Sequence, residues 1–270
     1  MRVGVVGHVE WVEFARVEQV PRPGEIVHAL DTWESAAGGG AVAAVQLAKL
    51  AGSAVLFTSF GDDELGRRAR AQLTEQGVTV RAMVDPSPQR RAFCFVDERG
   101  ERTITVLGEK LRPSGGDARL PWHELDGLDA IYFVSGDAEA LRRARAARIL
   151  VATARELDTL ARAAVPLDVL VGSAADDGER YQPGDINPAP NLVVTTSGPL
   201  GGWAQPGGPY RAAPVPGSIA DTYGSGDSFA AGLTFALARG DAREEALAFA
   251  AKCGAYVLTG RGPYEGQLVL

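Results

Sequence analysis

Nine residues near the C-terminal end, Asp221-Thr222-Tyr223-Gly224-Ser225-Gly226-Asp227-Ser228-Phe229, restrict this chain more than any other stretch. Two glycines stand just before a run, Ala230 to Arg239, that has apolar residues at helical spacing, no proline, and Gly240 as its stop. The pattern predicts a helix beginning close to Asp227. Glycines at that place free the backbone to turn several N–H groups towards one point, and the positive end of the helix dipole adds to them. The result is a seat for phosphate-like charge. A carboxylate at its mouth is electrostatically awkward for binding alone. It is explained if Asp227 takes a proton from a hydroxyl that then attacks phosphorus held by those amides. A plainer alternative stands beside this one: Asp221 or Asp227 caps a helix, and the glycines make an ordinary loop.

The full string DTYGSGDSFAAG resembles the C-terminal signature of the ribokinase (pfkB) carbohydrate kinase family, usually DTxGAGDxFxAG, with Ser225 in place of the first alanine. The resemblance implies that Asp227 is the catalytic base and that Gly224, Ser225 and Gly226 form the anion hole for the transferring phosphoryl group. It also implies nucleotide contacts from Asp221, Thr222, Gly224 and Gly226.

The chain has 270 residues with 46% hydrophobic content, enough for a single large α/β domain spanning 1–270. Its net charge of −7, without Lys/Arg clusters interleaved with aromatics, argues against nucleic acid or an anionic membrane as partner. The basic run Leu141 to Arg148 reads as a solvated helix face. Cys94 and Cys253 lie far apart with no His at metal-ligand spacing and are expected as reduced thiols. No stretch approaches membrane length and no long apolar leader is present, so a cytoplasmic protein is expected.

Arg2 to Gly7, Val55 to Phe60, Ala130 to Gly136, Arg148 to Ala152, Asp168 to Val171 and Asn191 to Thr195 are short apolar runs suited to buried strands. Helical patterns alternate with them, which implies a mostly parallel sheet with helices on both faces. Ile26 to Trp33 reads as a further strand. Arg91 to Asp97 and Arg102 to Leu107 flank a hairpin signal at Glu98–Glu101. The resemblance implies a three-layer ribokinase-like fold in which excursions at about 11–36 and 90–110 form a small β-sheet lid over the acceptor.

Gly38, Gly39 and Gly40 open a small-residue helix running to Gly52, and the segment resembles the family's N-terminal signature, whose glycine amides approach the sugar. The same run satisfies a dinucleotide fingerprint as Gly38-x-Gly40-x-x-Ala43, but it follows a lid-like strand rather than the first strand of a βαβ unit. Glu10 and Val12 stand where members carry Asn-x-Asp, so Glu10 is the candidate hydroxyl acceptor, with an exposed loop carboxylate as its alternative. Val42 stands at the usual Asn. Thr196, Gly198 and Gly201 resemble the family's nucleotide loop. Ser173 and Asp176 stand where NxxE organises Mg²⁺, which makes Asp176 the candidate metal residue.

The implied function is transfer of the γ-phosphoryl group of ATP, with Mg²⁺, to a hydroxyl of a sugar or sugar-like alcohol. A monovalent cation such as K⁺ and a homodimer through the lid stay open. A nucleoside kinase on the same fold is one alternative, and a sugar- or nucleotide-binding protein with weak or lost turnover is another. No GxxxxGK[ST] occurs, and His8, His28 and His123 fit no triad with a GxSxG elbow.

Overall fold

The computed structural model describes residues 1–270. Strand β1 (Val3–Val6) is buried at every residue, as an apolar run without alternation requires. The chain leaves the main sheet for β2 (Glu10–Arg16) and β3 (Asp31–Ala37), then returns through α1 (Gly39–Ala51), β4 (Ala54–Gly61), α2 (Glu64–Glu75) and β5 (Val78–Asp85). A second excursion forms the hairpin β6 (Arg91–Val96) and β7 (Arg102–Leu107). Then come β8 (Ala130–Phe133), α3 (Ala138–Ala144), β9 (Ile149–Thr153), α4 (Leu157–Ala163), β10 (Val169–Ser173) and β11 (Leu192–Thr196). The hairpin β12 (Gly202–Gln205) and β13 (Gly208–Tyr210) precedes the closing helices α5 (Ser225–Arg239) and α6 (Arg243–Tyr256).

The main sheet has nine strands in the order β13-β12-β11-β10-β9-β8-β1-β4-β5. Only β12 and β13 run antiparallel to their neighbours. Alternate residues of each central strand feed different cores. In β8, Ala130 and Tyr132 join the cluster that contains residues of α1, α5 and α6, while Ile131 and Phe133 join the one that contains residues of α3 and α4. Three layers follow, with helices on both faces. The strand order reverses between β1 and β8: one half of the chain builds outward through β4 and β5, the other through β9 to β13. Open α/β sheets bind ligands at the carboxyl ends of strands at such a reversal.

The two excursions meet in a separate four-stranded sheet, β3-β2-β6-β7, with β2 parallel to β6 and antiparallel to β3. The strand expected over Ile26 to Trp33 begins only at Asp31, because its partner β2 ends at Arg16, which pairs with Asp31. Beyond that point the chain has nothing to pair with, and Ile26 is 92% exposed. Glu10 to Phe14 is the start of β2. Both cysteines are free and buried. No helix is long and apolar enough to cross a membrane.

Candidate active site

The helix predicted near Asp227 begins at Ser225, with Gly224 as its N-cap in the left-handed region at φ 80°. Helix geometry leaves the first N–H groups, those of Ser225, Gly226 and Asp227, without acceptors inside the helix. A side chain at Gly224 would strike Val42 Cγ1 at 2.9 Å, so the fully buried Val42 shapes the loop from behind. At Gly226, which is exposed, a Cβ would meet nothing within 4 Å. Ser225 turns its hydroxyl to the Gly254 carbonyl at 3.0 Å, on α6. Replacement of alanine by serine therefore adds a tie to the next helix and leaves the backbone donor where it was.

Asp221 and Thr222 are placed differently from the expectation of direct nucleotide contact. Asp221 is completely buried, and its two carboxylate oxygens accept the N–H groups of Tyr223 at 2.8 Å and Gly262 at 3.0 Å. It braces the loop from inside. Burial raises its pKa, against the pull of those two donors. Thr222 donates its backbone N–H and its hydroxyl to the Gly100 carbonyl, at 2.9 and 3.0 Å, in the β6–β7 turn. Arg102 of β7 donates in return to the Thr222 carbonyl at 2.8 Å.

Asp227 lies in the first turn of α5, partly exposed, against the glycine cluster that opens α1. A Cβ at Gly39 would sit 2.8 Å from Asp227 Oδ1 and 2.9 Å from Val134 Cγ1. Gly38, at φ 83°, would place one 3.1 Å from Glu10 Cγ and 3.3 Å from His8 Cδ2. At Gly40 it would collide with backbone, 2.6 Å from the His8 carbonyl and 2.8 Å from Gly7. Only glycine allows these approaches, and together they press the start of α1 onto the ends of β1 and β8, at the reversal of strand order. The Gly38 N–H donates to the Tyr223 hydroxyl at 3.3 Å, tying the two glycine segments together. Burial pushes the Asp227 pKa up to about 6; Arg102 and Arg155 pull it down, Glu179 and Glu10 push it further up. A carboxyl that titrates near neutrality is suited to accept and release a proton.

Glu10 is not an exposed loop carboxylate. It begins β2, is 7% exposed, and faces Arg90 Nε at 3.0 Å and His8 Nε2 at 3.7 Å. Burial raises its pKa, opposed by Arg90 and Lys110. Burial also holds the His8 pKa well below the usual histidine range, and Lys110, Arg90, Arg112 and Arg155 lower it further, so His8 is neutral. Val12, by contrast, is fully buried on β2. His8, Arg90, Lys110 and Arg112 carry no motif, and only their shared surroundings in the fold single them out.

Thr196 ends β11 in register with Ser173 of β10. Gly198 and Gly201 follow with φ 55° and 87°, and a Cβ at Gly201 would overlap the Tyr210 carbonyl, so the turn can only be glycine. Asp176, the residue expected at the metal, stands in an ion pair. Its carboxylate pairs with Arg155 and caps the short turn after it by accepting the Gly178 N–H at 2.9 Å. Arg155 also holds Glu179 at 2.7 Å. Glu179, which the sequence reading passed over, is the carboxylate of this trio whose charge reaches Asp227. No group of three or more His, Cys, Asp or Glu side chains is placed to hold a metal ion alone.

Comparison with known proteins places the fold and the family. An "ATP-dependent ribose-1-phosphate kinase" of the archaeon Halopiger xanaduensis is 28% identical over 94% of this chain and 91% of its own. Among solved structures, a ribokinase from Thermotoga maritima superposes with a TM-score of 0.75 at 20% identity, covering all of this chain and 96% of that one. An adenosine kinase from Sinorhizobium meliloti superposes at 0.78 and 20% identity, over 97% of this chain and 95% of that one. Those two likenesses show the fold. The sequence pattern of the pfkB family of carbohydrate kinases matches residues 2–119 and 128–268, and the chain accordingly belongs to that family.

Proposed function

We propose that this carbohydrate kinase uses Asp227 as general base to move the γ-phosphoryl group of ATP onto a hydroxyl of a sugar or sugar-like alcohol. One observation carries the reading: a carboxylate with its pKa near 6 stands beside Gly39, in the first turn of a helix whose leading N–H groups have no internal acceptors. The hydroxyl gives its proton to Asp227 as its oxygen approaches phosphorus. The amides of Gly224, Ser225 and Gly226 are already oriented towards the oxygens on which charge gathers, so no reorganisation is needed at that moment. Thr196, Gly198 and Gly201 lie where the nucleotide would extend along the carboxyl ends of the strands.

Mg²⁺, bound with the phosphates, supplies neutralisation of their charge. The protein offers hard oxygen donors at Glu179 and Asp176, both engaged by Arg155. That fits an ion held mainly through phosphates and water, as Mg²⁺ usually is, with Glu179 ordering the waters. The four-stranded sheet is read as a lid, since its hairpin turn is bonded at Gly100 to Thr222 beside the anion loop. The half-exposed Ile104 and Val106 on its outer strand support a homodimer through the lid; a monomer in sedimentation at micromolar concentration would remove that part of the reading. The test of the whole is ADP release screened across sugars, sugar phosphates, polyols and nucleosides, with Asp227→Asn as control. ADP formed equally by both proteins would overturn the base assignment.

A further inference from the structure

At the acceptor end, three cations converge and only two carboxylates answer them. Glu156, 4% exposed, accepts from Lys110 Nζ at 3.1 Å and from Arg112 Nη1 at 2.9 Å. Leu111, between those two residues, is itself buried. Glu10 is left to face Arg90, but its contact with Nε is off the hydrogen-bonding axis. Nε and Nη1 of Arg90 are buried without any hydrogen-bond acceptor, and so is Nδ1 of the neutral His8. A buried guanidinium with unmade hydrogen bonds is costly. The surplus is positive by count, three cations facing Glu10 and Glu156 alone.

The position of the surplus matters. Asp227 touches Gly39, and Gly38 abuts His8 and Glu10. Arg90, Lys110 and Arg112 act on His8, whereas the charges acting most on Asp227 are Arg102, Glu179, Arg155 and Glu10. Gly38 packs on Glu10, which holds Arg90, and Gly39 packs on Asp227, so the guanidinium stands on the Glu10 side of the glycine cluster. We propose that Arg90, Lys110 and Arg112 receive a phosphate ester on the acceptor, so that the substrate is a sugar phosphate whose free hydroxyl is turned to Asp227. This rests on the reading of Asp227 as the base that marks the reacting end. A phosphate offers three strong acceptor oxygens and a charge near −2, enough to meet Arg90 and share Lys110 and Arg112 with Glu156. A neutral sugar would leave the Arg90 donors only hydroxyl oxygens and the charge uncompensated.

The experiment is calorimetric titration of the intact protein, without ATP, using ribose 1-phosphate and ribose as matched probes. The ester is expected to bind at least about tenfold more tightly than ribose, with an affinity that falls as salt rises. Lys110→Gln and the more exposed Arg112→Gln should each weaken the ester by about tenfold, leave ribose and ATP within about twofold, and Lys110→Arg should restore most of the loss. Equal affinity for ester and ribose in the wild type overturns the proposal. So does unchanged ester binding in both Gln variants, which would make the cluster a static brace between the small sheet and α4. Should Lys110→Gln fail to fold, Arg112→Gln and competition of ribose 1-phosphate by inorganic phosphate decide alone; absence of competition counts against it. Because no turnover enters, a wild type that prefers the ester yet never forms ADP would sink the kinase assignment and keep this one. Turnover of ribose without preference for the ester would do the reverse.

Discussion

The two ends of the site are built from different materials. Around α5 the groups proposed to bind charge are backbone amides, ordered by a left-handed glycine, by the buried Asp221 brace and by the close fit of Val42. Around β2 they are side chains: Glu10, Arg90, Lys110 and Arg112, with Glu156 beneath two of them. Every residue except proline carries an N–H, so the first end accepts Ser225 in place of alanine at no loss of function in its amide. At the second end a single replacement changes the chemistry offered to the ligand. On the proposed assignment the acceptor can be retuned while phosphoryl transfer is left alone, and Glu10 and Val12, where the sequence departs from the family pattern, both lie on β2 at the acceptor end.

The largest effect that sharpens this contrast is at the base. Asp227→Asn should lower kcat by about 10²–10⁴-fold while nucleotide affinity is kept or rises, because a negative charge beside the phosphates is removed. Steady-state kinetics with an independent nucleotide titration would measure both, and turnover within a few-fold of wild type would end the distinction between the two ends. In the wild type, kcat/KM should fall about tenfold per pH unit below the Asp227 pKa of about 6, a dependence the Asn variant should lack. Next comes Glu10→Gln, expected to raise KM for the acceptor by about tenfold to hundredfold with little change in KM for ATP. An unchanged acceptor KM would reduce Glu10 to a partner of Arg90.

Smaller effects fall on stability. The folded-state pKa of Asp227 lies above the ordinary carboxylate range, so this group favours folding at pH values below that range and loses the contribution as pH rises through about 6. Asp227→Asn should then be more stable than wild type by about 1–2 kcal/mol at pH 7, after allowing for partial exposure, and the gain should vanish near pH 4. Urea unfolding at the two pH values reads it; a variant less stable at pH 7 would mean that Asp227 is chiefly a structural element. Gly40→Ala should cost about 1–3 kcal/mol, since the new methyl meets the His8 carbonyl at 2.6 Å. The smallest effect is in the small sheet. Hydrogen exchange of β2, β3, β6 and β7 should slow when acceptor binds, and equal protection with acceptor shown to be bound would rule out a lid.

The fold was legible wherever burial on both faces forces a continuous apolar run, as in β1, β4 and β8. It was obscure where pairing decides. β2 begins with Glu10, a charge that suggests a loop, and the limits of β3 follow from where β2 ends rather than from anything in Ile26 to Leu30. The same division runs through the site. Backbone devices leave glycines in the sequence at fixed spacing, so Gly38 to Gly40 and Gly224 to Asp227 could be read directly. Arg90, Lys110, Arg112, Arg155 and Glu179 come from separate segments, and no spacing announces that folding will bring them together. Asp221 was found for its motif and misjudged in direction, because a string of letters does not show which way a carboxylate turns.

The bond pair from Thr222 to the Gly100 carbonyl has a further meaning for timing. A hairpin that swings outward takes away the one oxygen that both donors use, and Arg102 leaves the Thr222 carbonyl with it. If the small sheet is the proposed lid, its opening would loosen the chain immediately before the amides proposed to hold phosphorus. An uncovered sugar site and a fully ordered phosphate seat would then be mutually unfavourable states. Water entering the open site would meet the nucleotide when the proposed machinery is least able to use it, which would guard ATP against idle hydrolysis without any residue dedicated to the task.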